Sequence, residues 1–185
     1  MNDIKYKGYT IRIEQDEQPE DPRDWSNLGI MVCFHKRYTL GDETDLNSAM
    51  FNGWEELKSH LIKKERAKFI EPLYMYDHSG ITISTTPFSC PWDSGQIGFI
   101  YTTSKLIREE YGHKSIDSIR DLVSAVLASE VMIYDQYLTG DVCGYSIEKN
   151  EKDIDCCSGF YGADEAIAEA KHNIDEIIKQ GENET

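Results

Sequence analysis

This 185-residue sequence predicts an α+β fold, and three observations carry the prediction. Tyr9 to Glu14 alternates apolar and polar side chains, the period of a half-buried strand. The segment from Ser115 to Tyr137 carries an apolar stripe at helical spacing that is more than ~100° wide, as a core helix requires. Strand-like and helix-like segments follow one another without strict alternation, which argues against a parallel β-α-β arrangement. A hydrophobic content of 39% at this length suits one domain over residues 1–180, with a frayed tail at residues 181–185. The expected architecture is an antiparallel or mixed sheet packed by about three to four helices.

The elements are expected in the following order. Gly8 turns a short first strand, Ile4 to Tyr6, into the alternating one, in which Tyr9, Ile11 and Ile13 share a face. Residues 16–27 are rich in Pro, Asp and Glu and read as a loop. Leu28 to Phe34 is continuously apolar, so it is expected as a central strand covered on both faces. From Gly53, the spacing of Trp54, Leu57, Leu61 and Ile62 predicts an amphipathic helix of about three turns. Phe69 to Tyr76 reads as a strand in which Pro72 requires an edge position or a bulge, because proline cannot donate to a ladder. Two β-rich runs, ITIST and QIGFIYTT, flank a loop at Cys90 to Gly95.

Ser104 to Tyr111 reads as a short helix, and Ser115, Asp117 and Ser118 supply capping chemistry for a longer one. Ile116, Ile119, Leu122, Val123, Val126, Leu127, Ile133, Tyr134 and Tyr137 form its apolar stripe, and Gly140 ends it. The runs DVCGYSIEKN and DIDCCSGFYG then predict a hairpin about Asn150 and Glu151, with Cys143 facing Cys156 and Cys157 across it. A last amphipathic helix is expected from Ala163 to Gln180.

The net charge of −15 is unevenly placed. Residues 1–75 hold 11 Lys/Arg against 14 Asp/Glu, whereas residues 130–185 hold 4 against 14. An acidic surface repels phosphate backbones, so direct nucleic-acid binding is disfavoured, while a basic groove on another protein would be attracted. The carboxylates expected to meet such a partner are Glu148, Glu151, Asp153, Asp155, Asp164, Glu165 and Glu169. The same charge also confers solubility. The start of the chain has no apolar run of signal-peptide length, and nowhere do eighteen apolar residues run together, so a soluble cytoplasmic protein without membrane contact is expected. Five cysteines, two of them adjacent, make a poor disulfide framework and read as reduced thiols.

The stretch from Tyr76 to Gly98 concentrates the residue types that do chemistry. His35, His78, Cys90 and Asp93 offer N, S and O donors that zinc accepts in a tetrahedron, although no paired C-x-x-C ligand spacing accompanies them. Cys90 could also act as a nucleophile with His78 or His35 as base and Asp93 or Asp77 as orienting group. Pro91 opposes this, since it removes the backbone N–H that commonly stabilises an oxyanion. The plainer reading makes Cys33 and Cys90 small packing groups and leaves the histidines hydrogen-bonded near the surface. Neither G-x-x-x-x-G-K-[ST] nor G-x-G-x-x-G follows a strand, so nucleotide hydrolysis and dinucleotide chemistry find no support. The basic cluster Lys63, Lys64, Arg66 and Lys68 reads as a solvated helix face. The many aromatics, among them Trp25, Tyr38, Trp54 and Trp92, beside acids suit a protein interface better than base stacking.

Two runs, DWSNLGIMVCFHKRYTLGDE at residues 24–43 and YDHSGITISTTPFSCPWDSGQIGFIYTT at residues 76–103, resemble a group of uncharacterised proteins of bacteriophages and mobile elements, as does CSGFYG at residues 157–162. The resemblance implies genomic company and no particular reaction. By analogy, small acidic proteins of such origin include anti-restriction and anti-CRISPR inhibitors that imitate the charge of DNA. The implied partner is a basic host protein, such as a nucleic-acid-binding defence effector. The competing expectation is a zinc-binding or cysteine-dependent enzyme centred on His78, Cys90 and Asp93.

Overall fold

In chain order the elements are β1 (Ile4–Tyr6), β2 (Tyr9–Gln15), β3 (Ile30–Cys33), α1 (Trp54–Lys63), β4 (Ala67–Asp77), β5 (Ile81–Ser84), β6 (Ser94–Thr103), α2 (Ser104–Tyr111), α3 (Arg120–Thr139), β7 (Val142–Lys149), β8 (Lys152–Tyr161) and α4 (Ala163–Asn183). They come from a computed structural model that describes residues 3–112 and 114–183. The fold is α+β, about 38% helical and 33% strand, with two four-stranded sheets, both antiparallel, among the described residues. The chain divides into two units: a terminal one, built from the segments up to Asp21 and from Gln136 onward, and a middle one, Pro22–Asp135.

The terminal unit has the strand order β1-β2-β7-β8. Pairing of Ile11 with Ile147 and of Ile13 with Tyr145 puts the apolar side chains of β2 and β7 on one face. There α4 seats Ala166, Ala170 and Ile174 against Tyr9, Ile11, Ile13, Cys143, Tyr145 and Ile147. The two alanines let the helix backbone approach the sheet, and the spacing of three and four residues keeps all three side chains on one stripe. Asn150 and Glu151 both adopt left-handed φ, 51° and 62°, as a two-residue hairpin turn with the right twist demands. Lys149 lies 4.3 Å from the centre of the Tyr9 ring and donates to its hydroxyl at 3.0 Å, fixing the turn end of the hairpin to β2. The final helix runs past the expected Gln180 to Asn183; Glu184 and Thr185, the end of the segment expected to fray, lie outside the described residues.

One expectation fails in this hairpin. Cys143 opposes Phe160, while Cys156 and Cys157 oppose Ser146 and Tyr145: the turn that pairs Lys149 with Lys152 already places Cys143 beyond the two adjacent thiols, and two bulges in the pairing carry it one residue further each. The three thiols therefore do not gather: Cys143 is buried, and Cys156 and Cys157, adjacent on an edge strand, are exposed and point to opposite faces.

The middle unit has the order β3-β6-β4-β5. Its two interior strands are β6, with Ile97–Thr102 buried, and β4, whereas the apolar run at Leu28–Phe34 supplies the edge strand β3. That run is apolar throughout because both faces of the edge are covered. Val32 joins Phe99 and Tyr101 beneath Leu57 and Leu61 of α1. Met31, paired with Ile100, faces the other way. On that second side, Leu127 of α3 and Ile100 approach Gly29 closely, and Arg120 lies 5.2 Å from the ring of Phe69. The open edge of β3 is closed by a bridge from Val32 to Gly41 and by the Asp42 amide, which donates to the Met31 carbonyl at 2.9 Å. Pro72 sits where β4 has no partner on its β5 side and beside a bulge between Leu73 and Tyr74, as its missing N–H requires. Gly98 has no room for any side chain, since a Cβ there would collide with the Val32 carbonyl.

Helix starts depart from expectation in detail. Ser115 makes no side-chain cap; a 3-10 turn over Ile116–Ile119 leads into α3 instead, with the Ser118 hydroxyl donating to the Ser115 carbonyl at 2.7 Å. Among the described α-helices a side-chain cap forms on α2, where the Thr103 hydroxyl accepts from the Leu106 amide at 3.3 Å.

The middle unit is pinned by one buried guanidinium. Arg23, 5% exposed, donates to both oxygens of Asp42 at 2.8 and 2.9 Å, to the Gly29 carbonyl at 2.7 Å and to Glu130 on α3 at 3.3 Å. Glu130 in turn accepts the Leu28 and Gly29 amides at 2.8 and 3.1 Å, and Asp42 accepts the Met31 amide at 2.9 Å. Burial pushes the Glu130 carboxyl above its ordinary range, against the pull of the two amides and Arg23. For Arg23, burial works against the charge, but the bonds and charges of Asp42 and Glu130 outweigh it and raise the pKa. Arg23→Ala would leave two partly buried carboxylates unpaired, so it is expected to lower the unfolding free energy by about 3–5 kcal/mol in urea melts. Arg23→Lys is expected to recover only part of this, since one ammonium cannot span the fork. A second substitution should act in the opposite sense. The Thr102 hydroxyl is fully buried with no hydrogen-bond partner among the described residues, and Thr102→Val is expected to raise the unfolding free energy by about 1 kcal/mol.

Candidate functional site

The loop between β5 and β6 folds back onto the end of β4. The Asp77 amide donates to the Asp93 carbonyl at 2.8 Å, the His78 amide to Gly80 at 3.0 Å, and the Ser94 hydroxyl to the Cys90 carbonyl. Asp93 is the hub of the cluster: its carboxylate lies 3.3 Å from His78 Nδ1 and accepts from the Cys90 thiol at 3.7 Å. Arg37 pairs with Asp77 and so ties the segment after β3 to the same end of the sheet. His35 stays on that segment, stacked on Tyr38 at 5.1 Å, with its Nδ1 accepting the Arg37 amide at 3.4 Å. Trp92 stands at the apex of the loop, 91% exposed.

This arrangement joins three of the four residues considered for zinc, through hydrogen bonds and not as a ligand set. Among the described residues, no group of three or more His, Cys, Asp or Glu side chains is placed to hold a metal ion. The geometry gives Cys90 no imidazole partner among the described residues, because the thiol and the imidazole each address Asp93 and not one another. An imidazole at the surface beside a carboxylate and a thiol donating to the same carboxylate make a clamp that fixes the loop.

The carboxylates of the terminal unit fall into three settings. Glu148 lies on the sheet face away from α4 and pairs with Arg12, which also reaches Asp3 at 3.4 Å. Asp155 lies on the α4 side, where it accepts from the Tyr145 hydroxyl at 3.0 Å and from Asn173 at 3.2 Å. These two are committed within the unit. Glu151, Asp153, Asp164, Glu165 and Glu169 are exposed. Glu151 and Asp153 stand at the turn, and the other three on the first two turns of α4, where the helix dipole favours Asp164 and Glu165 of the first turn. Along β8 the two groups are roughly 25 Å apart at about 3.3 Å per residue.

The thiols separate by burial. Burial pushes the Cys33 thiol up to about 12, with a further rise from the charge of Asp42. The Cys143 thiol is also raised, first by burial and then by Asp141 and Asp16.

One feature carries no motif in the sequence. The chain leaving β3 loops over Phe34 to Ser48 and, with Trp54, encloses an open recess of about 980 Å³. Its residues are far from any fixed spacing, so only the closed loop reveals them.

No family model matches the chain, and neither a curated protein nor a solved structure matches it. Among the described residues, no helix is long and apolar enough to cross a membrane.

A thiolate reacts and a thiol does not, so the order of reactivity follows from this burial. At pH 8 a thiol reagent should label the exposed Cys156 and Cys157 first in the native protein, the half-buried Cys33 more slowly, and the buried Cys143 only after unfolding. Peptide mass mapping of the labelled protein reads the order directly.

Proposed function

We propose that this chain acts by binding rather than by catalysis, as a phage- or mobile-element-type inhibitor of a host defence effector that handles nucleic acid. The supporting observation is the set of exposed carboxylates on the terminal unit: Glu151, Asp153, Asp164, Glu165 and Glu169. Their separation of roughly 25 Å is comparable to about seven phosphates along one nucleic-acid strand at 3.4 Å each. A Lys/Arg-lined groove built for phosphates would meet these carboxylates with favourable charge, and the same field would keep nucleic acid itself away. Glu148 and Asp155, already paired inside the unit, contribute structure and are not needed as contacts.

The reading with an active centre at His78, Cys90 and Asp93 has less support, since a reaction there lacks a Cys–His pair. The test is binding to candidate effectors at about 50 and 200 mM salt, with the variant Glu151→Gln, Asp153→Asn, Asp164→Asn, Glu165→Gln, Glu169→Gln alongside the natural chain. The expected result is an affinity that falls with salt and drops at least about tenfold in the variant. Equal affinity of the two chains, insensitive to salt, would sink the charge-based reading.

A further inference from the structure

The recess after β3 has walls of two kinds. Phe34 stacks on Trp54 with ring centres 6.4 Å apart and planes 14° from parallel, and His35 stacks on Tyr38. The rim carries Glu43 and Asp45, both exposed, which also border a second recess of about 310 Å³ beside Glu65 and Tyr101. Among the described residues, Lys36 is the only lysine or arginine in the lining of the larger recess. A volume of about 980 Å³ is at the upper end of ligand sites, roughly 300–1,000 Å³, and admits a long side chain with its flanking backbone.

Hydrogen bonds at both ends tie this loop to its surroundings. Asp42 is held by the Arg23 fork and the Met31 amide, and the Gly41 amide donates to the Tyr134 hydroxyl at 3.1 Å. Asn47 accepts the Ala49 amide at 3.1 Å and caps a short 3-10 turn just before Trp54. Burial, then the charges of Glu65 and Asp42, push the Tyr101 hydroxyl up to about 12. An aromatic wall beside carboxylates is a receptor for a cation that is planar and weakly hydrated, which describes a guanidinium better than an ammonium. The same chemistry already occurs at the edge of the recess, where Arg37 lies 5.5 Å from the ring centre of Tyr38.

We propose that this recess receives an arginine side chain of the partner protein, with the guanidinium against the Phe34 and Trp54 wall and its charge met by Glu43 and Asp45. The inference rests on the reading of a basic partner and names a second place, in the middle unit, where such a partner is gripped. A groove rich in arginine would then be recognised by general charge at one unit and by one anchored residue at the other.

The test uses the full chain and the peptide Gly-Arg-Gly-Arg-Gly, with its citrulline counterpart as the uncharged control. The arginine peptide should shift the Trp54 indole and Tyr38 ring resonances saturably, and the citrulline peptide should bind at least about tenfold more weakly. Glu43→Gln with Asp45→Asn should weaken the arginine peptide about tenfold, while Glu151→Gln with Asp153→Asn should leave it within about twofold. Both pairs of side chains are exposed, so the variants should keep the native spectrum. Equal binding of the two peptides, or a Glu43/Asp45 variant within about twofold of the natural chain, overturns the proposal. Loss of peptide only in the Glu151/Asp153 variant overturns it too, yet leaves the acidic terminal unit standing. Peptide bound in the recess, with effector binding indifferent to every terminal carboxylate, upholds the recess and removes the charge-based function instead.

Discussion

The middle unit depends on the charge cluster of Arg23, Asp42 and Glu130. One guanidinium reaches the loop before β3, the loop after it and α3, and the two carboxylates hand its hold on to the amides of Leu28, Gly29 and Met31. Removing three charges from water is costly, and the cost is met only because almost every lone pair and N–H finds a partner in good geometry. Gly29 is part of the same device: a Cβ there would come within 2.7 Å of Glu130, so the close approach that makes the carboxylate a cap for two amides needs a bare backbone. The recess after β3 inherits its shape from this cluster, because Asp42 is at once a partner of Arg23 and part of the recess lining.

The two units divide the physical labour of the chain. The terminal unit packs one sheet face under a helix whose buried contacts are two alanines and an isoleucine, and it carries most of the net negative charge, with 18 Asp/Glu against 7 Lys/Arg. The middle unit covers both faces of its sheet and holds the aromatic walls, the anchored loop and the exposed Trp92. Charge in the first setting acts at long range and weakens with salt. Stacking and paired charge in the second act at contact and set geometry.

Much of the secondary structure was legible residue by residue. The alternation at Tyr9–Glu14, the stripe in α3, the turn at Asn150 and Glu151 and the bulge near Pro72 all follow from local rules that need no knowledge of partners. The rank of a strand within its sheet was not legible. A continuous apolar run reports that both faces are covered, and an edge strand flanked by helices on both sides, as β3 is, satisfies that as well as a central one. The separation of Cys143 from Cys156 and Cys157 already follows from a turn at Asn150 and Glu151, and only the two bulges that carry Cys143 on to Phe160 were hidden. At the loop of Asp93, residue types were visible, but whether His78 and Cys90 would address each other, a metal or a shared carboxylate is a matter of fractions of a turn in the backbone.

The sequence by itself determined the α+β composition, most element positions and the concentration of negative charge toward the C-terminal end, because periodicity, turn chemistry and charge count are local or additive quantities. Only the tertiary structure decided that β1 and β2 pair with the C-terminal hairpin in a sheet of their own, that Glu148 and Asp155 are committed internally while five other carboxylates face solvent, and that Phe34, Tyr38, Glu43, Asp45 and Trp54 surround one recess. Each of these depends on which distant segments meet, and that is fixed by burial and by the hydrogen bonds of groups such as Arg23, whose partners lie 6, 19 and 107 residues away along the chain.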